Sequence, residues 1–470
     1  MVIAVGIAIR ISTIWTMQPS SDAYVYFYMG NSFLQHGEFI MPYGDYSAFS
    51  SRFSHHFPPV YPLYLAGFIA LFGYNPFTLN LASALSGLLP IAAAYWATKD
   101  LYGKKKGLAV AAIISVEPIS TAMGGIGFSE NLVNFLFILT MWAILKSLKD
   151  EKYILWAGLF AGLGYLTKSS MGWFFIIAGL AGFAWRFYYV RWAVFRDRYY
   201  LGAIGIFAAF FSIWALRNII RFWDGTFWGL FTAWQTSAYT SYVFGEAVSR
   251  PADLLYILFP RLIFFALIFL GTAVFWLKEL KNAPKLEEHN SALFLSIFLV
   301  YLLSWIISSM FWVVERYPMF WALNARYIIP SLVPLFWLVF RQHDFESVDF
   351  RKKLAATTAV ALVLSIAVCT PFMFNQQRAD IQALEDLRSM AESGDRVYVR
   401  AFHPYEAYLY LHDGNVSVDI YISSEDRFIL SGLTEENYTM LGYHLVREYR
   451  AGKGDPLRFS WECNLWERNA

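Results

Sequence analysis

From the first residues to position 374 the chain alternates long apolar stretches with short breaks made of basic or turn-forming residues. The stretches that suit membrane-crossing helices are Val2–Met17, Phe77–Thr98, Leu108–Met123, Leu132–Leu145, Tyr153–Leu166, Met171–Trp185, Leu201–Leu216, Leu254–Leu277, Ala292–Trp312, Tyr327–Phe340 and Leu354–Phe374. The pattern predicts an all-α polytopic membrane bundle of about eleven transmembrane helices. Val2–Met17 has neither a basic leader nor a small-residue cleavage site, so it reads as a retained first helix and not as a signal peptide.

Pro59–Gly73, PVYPLYLAGFIALFG, is apolar but short and interrupted by proline. Read as an uncrossed juxtamembrane helix, it leaves the basic segments Lys104–Lys106, Lys146–Lys152, Arg186–Arg198, Lys278–Lys285 and Arg341–Lys353 on one side. The positive-inside tendency makes that side cytoplasmic. Gln18–Pro58, Gly124–Asn131, the hairpin at Lys168, Arg217–Asp253, Val313–Arg326 and everything after Asn375 then face the opposite, extracytoplasmic side.

Beyond residue 374 the periodicity changes. Ile381, Leu384, Leu387 and Ala391 fall at helical spacing, and RVYVR and NVSVDIY alternate as strands do. Residues 1–374 are expected to form a transmembrane domain and residues 375–470 a small C-terminal extracytoplasmic α/β domain. Asn415-Val416-Ser417 and Asn437-Tyr438-Thr439 are glycosylation sequons in that tail.

Composition sharpens the class. The chain is 57% hydrophobic and only 15% charged, against roughly 25% charged residues in a soluble domain, which excludes an ordinary soluble enzyme. A mean hydropathy of +0.42, with 18 Trp, 30 Tyr and 43 Phe, suits helices that face lipid and carry aromatic residues at the water boundaries. Lys and Arg (37) nearly balance Asp and Glu (35), so no electrostatic footprint for nucleic acid exists. Cys369 lies in an apolar stretch and Cys463 in the tail, which provides neither a disulfide framework nor a thiolate metal site.

Candidate chemistry gathers at the extracytoplasmic boundary. Asp22 follows the first apolar stretch in PSSDAYVYFYMGNSFLQHG, where Ser20 or Ser21 can cap a helix. In a first helical turn the dipole favours an ionised carboxylate, available as a base or simply as ordinary helix-start chemistry. Glu130, in GGIGFSENL, opens another apolar helix from the same face and could bind a metal, orient a sugar, share the base role or cap its own helix. His55 and His56 in SRFSHHFPPVYP could contact substrate phosphate or a metal. Arg52, Lys168, Arg217, Arg221, Arg261, Arg316 and Arg326 oppose the positive-inside trend. At a membrane edge such cations either pair with an acid or meet a lipid phosphate. Arg10, within the first stretch, has to face the bundle interior or a polar cavity.

An aspartate soon after the first helix, HHFPPVYPLYLAGF, GFSENLVNF, GLGYLTKSS, WALRNII and RYIIPSLVPL follow one another in that order. In these motifs the chain resembles the C-type (GT-C) membrane glycosyltransferases. Within that superfamily it is most similar to the protein O-mannosyltransferases and the lipid A aminoarabinose transferases, which take a sugar from a polyprenyl phosphate. The resemblance covers about Val2–Phe374. It implies the GT-C fold, with external juxtamembrane helices, and an inverting transfer of a single sugar from a polyprenyl (dolichyl-type) phosphate donor to an acceptor hydroxyl at the extracytoplasmic membrane face. The acceptor class, glycan, lipid or protein, stays open, as does a divalent metal. The same resemblance assigns Asp22 and Glu130 as catalytic acids, and Lys168, Arg217 and Arg326 to the donor phosphate. The chain also departs from the protein O-mannosyltransferases. Ala23 stands where they usually carry a second first-loop acid, and no lumenal β-trefoil insertion is visible.

Two other readings compete. A polytopic secondary transporter would use Arg10 and Glu117 inside the bundle, but its site should lie near the midplane at a repeat interface, and no repeat is present. An oligosaccharyltransferase-like enzyme would carry a much larger soluble domain than this tail. The topology is directly testable: Ser21→Cys and Asn415→Cys should both react with an impermeant thiol reagent added from outside, and labelling from opposite faces would refute the assignment.

Overall fold

The computed structural model describes residues 1–16, 19, 21–40, 57–168, 171–222, 329–342, 345–374, 379–399, 409–411, 416–419, 426–432, 443–449 and 463–468. Helices dominate. In order they are α1 (Val2–Thr16), α2 (Ser21–His36), α3 (Val60–Phe72), α4 (Pro76–Ser86), α5 (Leu89–Tyr102), α6 (Lys104–Ser115), α7 (Pro118–Gly125), α8 (Glu130–Ser147), α9 (Tyr153–Tyr165), α10 (Gly172–Val190), α11 (Arg198–Phe222), α12 (Ile329–Gln342), α13 (Val348–Phe374) and α14 (Ala379–Met390). The expected spans Leu254–Leu277 and Ala292–Trp312 lie outside the described residues.

Among the described residues two helical stretches are long and apolar enough to cross a membrane, Pro76–Tyr102 and Arg198–Ile220. A third, bent candidate joins α6 to α7 at 58°. Among the described residues the about eleven spans expected from periodicity are not confirmed as eleven straight helices. One reason is visible in Leu108–Met123, which reads as a single run but breaks at Val116-Glu117-Pro118. Pro118 cannot continue the hydrogen-bond ladder. Glu117 starts a new helix instead, its carboxylate accepting from the backbone N–H of Ile119 at 2.9 Å and of Ser120 at 2.5 Å.

The carbonyls left at the end of α6 are met from α1. Arg10, 1% exposed, donates to the carbonyl oxygens of Ser115 and of Ile114, the latter at 2.9 Å, and reaches Ser120 Oγ at 3.4 Å. A cation at a helix C-terminus is also favoured by the dipole. Ser120 in turn bonds both ways with the Asn131 side chain, its hydroxyl donating at 2.8 Å and its carbonyl accepting at 3.0 Å. Arg10 and Glu117, the residues a transporter reading would place on a translocation path, thus serve the broken helix.

Helix α8 is the axis of the bundle: every residue along it is buried except Phe135 and Lys146. It packs on α5, α9, α10 and α12 in one continuous apolar core. Outward-facing positions carry exposed large apolar side chains such as Trp156, Leu180, Ile213, Ile220 and Val363, as expected of a surface that meets lipid.

The two ends of the bundle differ. At one end the basic segments are tied by ion pairs: Lys146 to Asp100 at 2.9 Å, Lys105 to Glu346 at 2.7 Å, and Arg186 to Glu151 and, at 3.6 Å, to Asp197. The other end receives the starts of α8 and α10 and the ends of α9 and α11. There α3, only 13 residues and about 20 Å long, docks through Val60 N–H on the Leu166 carbonyl at 2.9 Å, and Tyr64 donates to the Ala82 carbonyl at 2.8 Å.

In the tail, α14 covers the expected helical run, and β1 (Arg396–Val399) and β2 (Ser417–Asp419) fall within RVYVR and NVSVDIY. With β3 (Phe428–Gly432), β4 (Tyr443–Tyr449) and β5 (Cys463–Arg468) they form a mixed sheet in the order β2-β1-β3-β5-β4. β1 is parallel to β2 and β3, and β5 is antiparallel to β3 and β4. Strand alternation sends Val397, Val399, Phe428, Leu430 and Leu465 to the face covered by Leu384 and Leu387 of α14, while Tyr398, Ile429, Tyr443 and Trp466 cluster separately. The sequons at Asn415 and Asn437 lie outside the described residues.

Because Arg10 satisfies carbonyls inside an apolar bundle, Arg10→Leu should destabilise the protein by about 2–4 kcal/mol. The measurement is thermal unfolding in detergent; an unchanged midpoint would show that the end of α6 finds other partners.

Candidate active site

Asp22 lies in the first turn of α2 and is partly exposed. The following residues, Ala23 to Phe27, are buried, so α2 is pressed onto the bundle by the face beside its acid. The contact is made at Gly127, whose φ of +79° suits glycine. A Cβ built there would stand 2.6 Å from the Ala23 Cβ and 3.1 Å from Ser83 Oγ. Ala23 therefore fills the place beside Asp22 at the closest approach of α2 to the α7–α8 turn, which leaves no room for a second acid.

From that turn chain geometry leads directly to Glu130, the first residue of α8. Its side chain is wholly screened from solvent, and Oε1 accepts from Lys168 Nζ at 2.8 Å. Lys168, 8% exposed, is held by backbone bonds at the end of α9, its N–H donating to the Gly164 carbonyl at 3.3 Å, and its ammonium lies 5.7 Å from the centre of the Phe128 ring. The structure thus brings Glu130 and Lys168 together as a buried ion pair. A buried charge of either sign is costly unless paired and hydrogen-bonded, so each residue fixes the other.

Two tyrosines pack close to these groups. Tyr26, on α2, has its ring edge-on to Phe57 at 4.7 Å and to Tyr61 at 5.0 Å. Ser129 Oγ donates weakly to its hydroxyl oxygen at 3.5 Å. Burial pushes the Tyr26 phenol well above the ordinary tyrosine range; nearby Lys168 and Ser129 pull it down, Asp22 and Glu130 push it up. Tyr26 thus feels all three charged candidates. Tyr61 of α3 donates to the Gly127 carbonyl at 3.0 Å. Sequence reasoning missed Tyr26, Tyr61 and Ser129 as site residues. The available signal was the spacing of Asp22 and Tyr26, one helical turn apart.

Arg217 is half-buried near the end of α11, stacked 4.6 Å over Trp214 and donating to Asn218 Oδ1 at 2.8 Å. Trp214 packs with Tyr165 and Leu166, just ahead of Lys168, so Arg217 belongs to the same end of the bundle. Arg326, His55 and His56 lie outside the described residues; Ile329, which opens α12, packs with Phe128. Among the described residues no group of three or more His, Cys, Asp or Glu side chains gathers as a metal set.

The geometry is that of a helical bundle with two carboxylates, an ammonium and a guanidinium at one end. Residues 56–215 match the family described as dolichyl-phosphate-mannose-protein mannosyltransferase. The fold matches that of ArnT from Cupriavidus metallidurans bound to undecaprenyl phosphate, with a TM-score of 0.64 at 12% identity over 100% of this chain and 97% of that one. Against the apo state of the same protein the TM-score is 0.59 at 11% identity, over 99% and 96% of the two chains. A weaker likeness, TM-score 0.45 at 13% identity over 92% of this chain and 69% of the other, is to the archaeal oligosaccharyltransferase AglB from Archaeoglobus fulgidus. No curated protein matches. The resemblance to C-type polyprenyl-phosphate-dependent glycosyltransferases is thereby shown, in sequence over residues 56–215 and in fold over the whole chain.

Glu130→Gln or Lys168→Met alone should cost about 3–5 kcal/mol, because each strands a buried charge. The double variant should recover much of that loss. Thermal unfolding of the four proteins measures it; a double variant as unstable as the sum of the singles would show that the two residues act independently.

Proposed function

We propose that the protein is an inverting glycosyltransferase that moves a single sugar from a polyprenyl-phosphate donor to an acceptor hydroxyl. The active site and residues 375–470, taken as a separate domain, lie on the extracytoplasmic face of the membrane, in the plasma membrane. The observation that carries this reading is the convergence of Asp22, Glu130 and Lys168 around Tyr26, in a chain with the ArnT fold. The bound undecaprenyl phosphate of that fold relative supports a lipid-linked donor.

In this reaction Asp22 takes the proton from the acceptor hydroxyl. The oxygen attacks the anomeric carbon from one face, and the bond from that carbon to the phosphate oxygen breaks on the other. The electron pair leaves with the polyprenyl phosphate, and the configuration inverts. A phosphate monoester is already a good leaving group, so cations at its oxygens matter more than a proton donor. Arg217 and Arg326 suit that task through their forked donors. Lys168, held by Glu130, contributes an ammonium to the same end of the bundle. Glu130 holds Lys168 in place, and His55 and His56 are assigned to substrate or metal contact. Among the described residues Arg10 and Glu117, which a secondary transporter would use, are engaged at the helix break.

Purified protein incubated with a panel of radiolabelled polyprenyl-phosphate sugars should release or transfer label. Asp22→Asn should then lower turnover by roughly two to four orders of magnitude with donor binding retained; near-wild-type turnover would remove Asp22 from the mechanism. Arg217→Ala should weaken donor binding, and Arg217→Lys should recover only part of it, because lysine keeps the charge but loses the fork. Unchanged donor affinity in a destabilised Arg217→Ala would instead assign that guanidinium to packing on Trp214.

A further inference from the structure

Tyr26 has no part in the reaction as written, yet its hydroxyl lies where the pieces of the site meet. It stands one turn after Asp22 on α2, so the two share a helix face. Its ring is 1% exposed and clamped by Phe57 and Tyr61, which gives the hydroxyl little freedom. Ser129, immediately before Glu130, donates to the phenol oxygen and leaves the phenol proton to be placed elsewhere. The charged and titratable groups facing it are Asp22 on its own helix, Glu130 at the start of α8, Lys168 after α9 and Tyr61 on α3. Of these the two carboxylates are the anionic acceptors, beside the neutral Tyr61 hydroxyl oxygen, and one Glu130 oxygen is already taken by Lys168.

We propose that Tyr26 is the positioning residue for Asp22, its hydroxyl donating a hydrogen bond to the Asp22 carboxylate in the substrate-loaded site and aiming it at the acceptor hydroxyl. This rests on the reading of Asp22 as the base. Burial pushes the Tyr26 phenol well above the ordinary tyrosine range, so the hydroxyl keeps its proton and stays a donor. A hydrogen bond given to a carboxylate favours its charged form and lowers its pKa. Loss of the donor raises that pKa, so the acid limb of the rate profile moves to higher pH.

The test compares Tyr26→Phe with Tyr64→Phe in the full chain, using whichever radiolabelled polyprenyl-phosphate sugar turns over in the panel. Tyr26→Phe keeps the ring contacts; Tyr64 bonds only a backbone carbonyl among the described contacts, at 2.8 Å from Ala82. For Tyr26→Phe the expected result is a fall in kcat of about tenfold below the wild-type limb and a shift of that limb upward by about one pH unit. Donor KM should stay within about twofold. Tyr64→Phe should lower thermal stability and leave the limb in place. Ser129→Ala, which weakens the phenol's anchoring, should shift the limb in the same direction by less, and it serves if Tyr26→Phe does not fold. An unshifted limb in the folded variants, or an equal shift in Tyr64→Phe, overturns the proposal. Asp22→Asn in the same assay separates the two readings: normal turnover there defeats the base assignment itself, whereas an inactive Asp22→Asn beside an unshifted Tyr26→Phe defeats only the positioning role.

Discussion

Inside an apolar bundle a charge persists only where its partner is fixed, and the Glu130–Lys168 pair imposes that condition on the end of the bundle where α8 starts and α9 ends. A carboxylate with no solvent exposure and an ammonium 2.8 Å away require the first turn of α8 and the turn after α9 to keep their separation. The backbone around them is built for this. Lys168 is anchored by its own N–H to the last turn of α9, Val60 bonds the Leu166 carbonyl, and Tyr61 bonds the Gly127 carbonyl. α3 is therefore stitched to both turns that carry the pair, and α2 lies on α3 through the Tyr26–Tyr61 contact. Moving any one of these elements would separate two charges in a low-dielectric setting, where separation is most costly.

The same economy explains the two unlike ends. Ion pairs at the far end include exposed groups such as Lys105 and Glu346, which water also solvates, so they steer orientation more than they stabilise. At the site end the charges are fewer and more deeply buried. Between the ends, α8 runs as a helix buried on all sides, which a helix can be only when every backbone group is satisfied internally and its neighbours are apolar. The break between α6 and α7 is the exception, and it is compensated by Arg10 and by the Glu117 cap.

Much of this was legible in the sequence where a local rule acts alone. An acid after a serine before an apolar run marks a helix start, and Asp22 and Glu130 both stand at one. Lys168 was conspicuous as a cation on the side that should have few. Its pairing with Glu130 was not legible, because 38 residues separate them and only the antiparallel packing of α8 and α9 brings them together. Tyr26 escaped for the opposite reason: in a helix whose apolar face is aromatic, a tyrosine four residues after the acid reads as core packing, which it also is. The run Leu108–Met123 misled because hydropathy does not register that Pro118 ends one ladder and Glu117 begins another. In the tail, period-two alternation located β1 and β2, while the pairing of β3 with β5 across the sheet depends on contacts no local pattern encodes.

The distribution of charge at the site also bears on why two carboxylates can stand near one another. Two free acids in a buried space would each raise the cost of ionising the other, and one would hold a proton. Here Glu130 is neutralised by Lys168 before Asp22 enters the account, while Asp22 is partly exposed and sits in a helix first turn whose dipole favours its charge. The two acids therefore occupy different electrostatic environments, one committed to an internal cation and one open toward solvent. In the proposed reaction that asymmetry divides their labour: the exposed carboxylate can accept and release a proton at each turnover, and the buried one cannot do so without stranding Lys168. Glu130 is for that reason a poor candidate for the base in the proposed reaction and a good one for holding Lys168 in place.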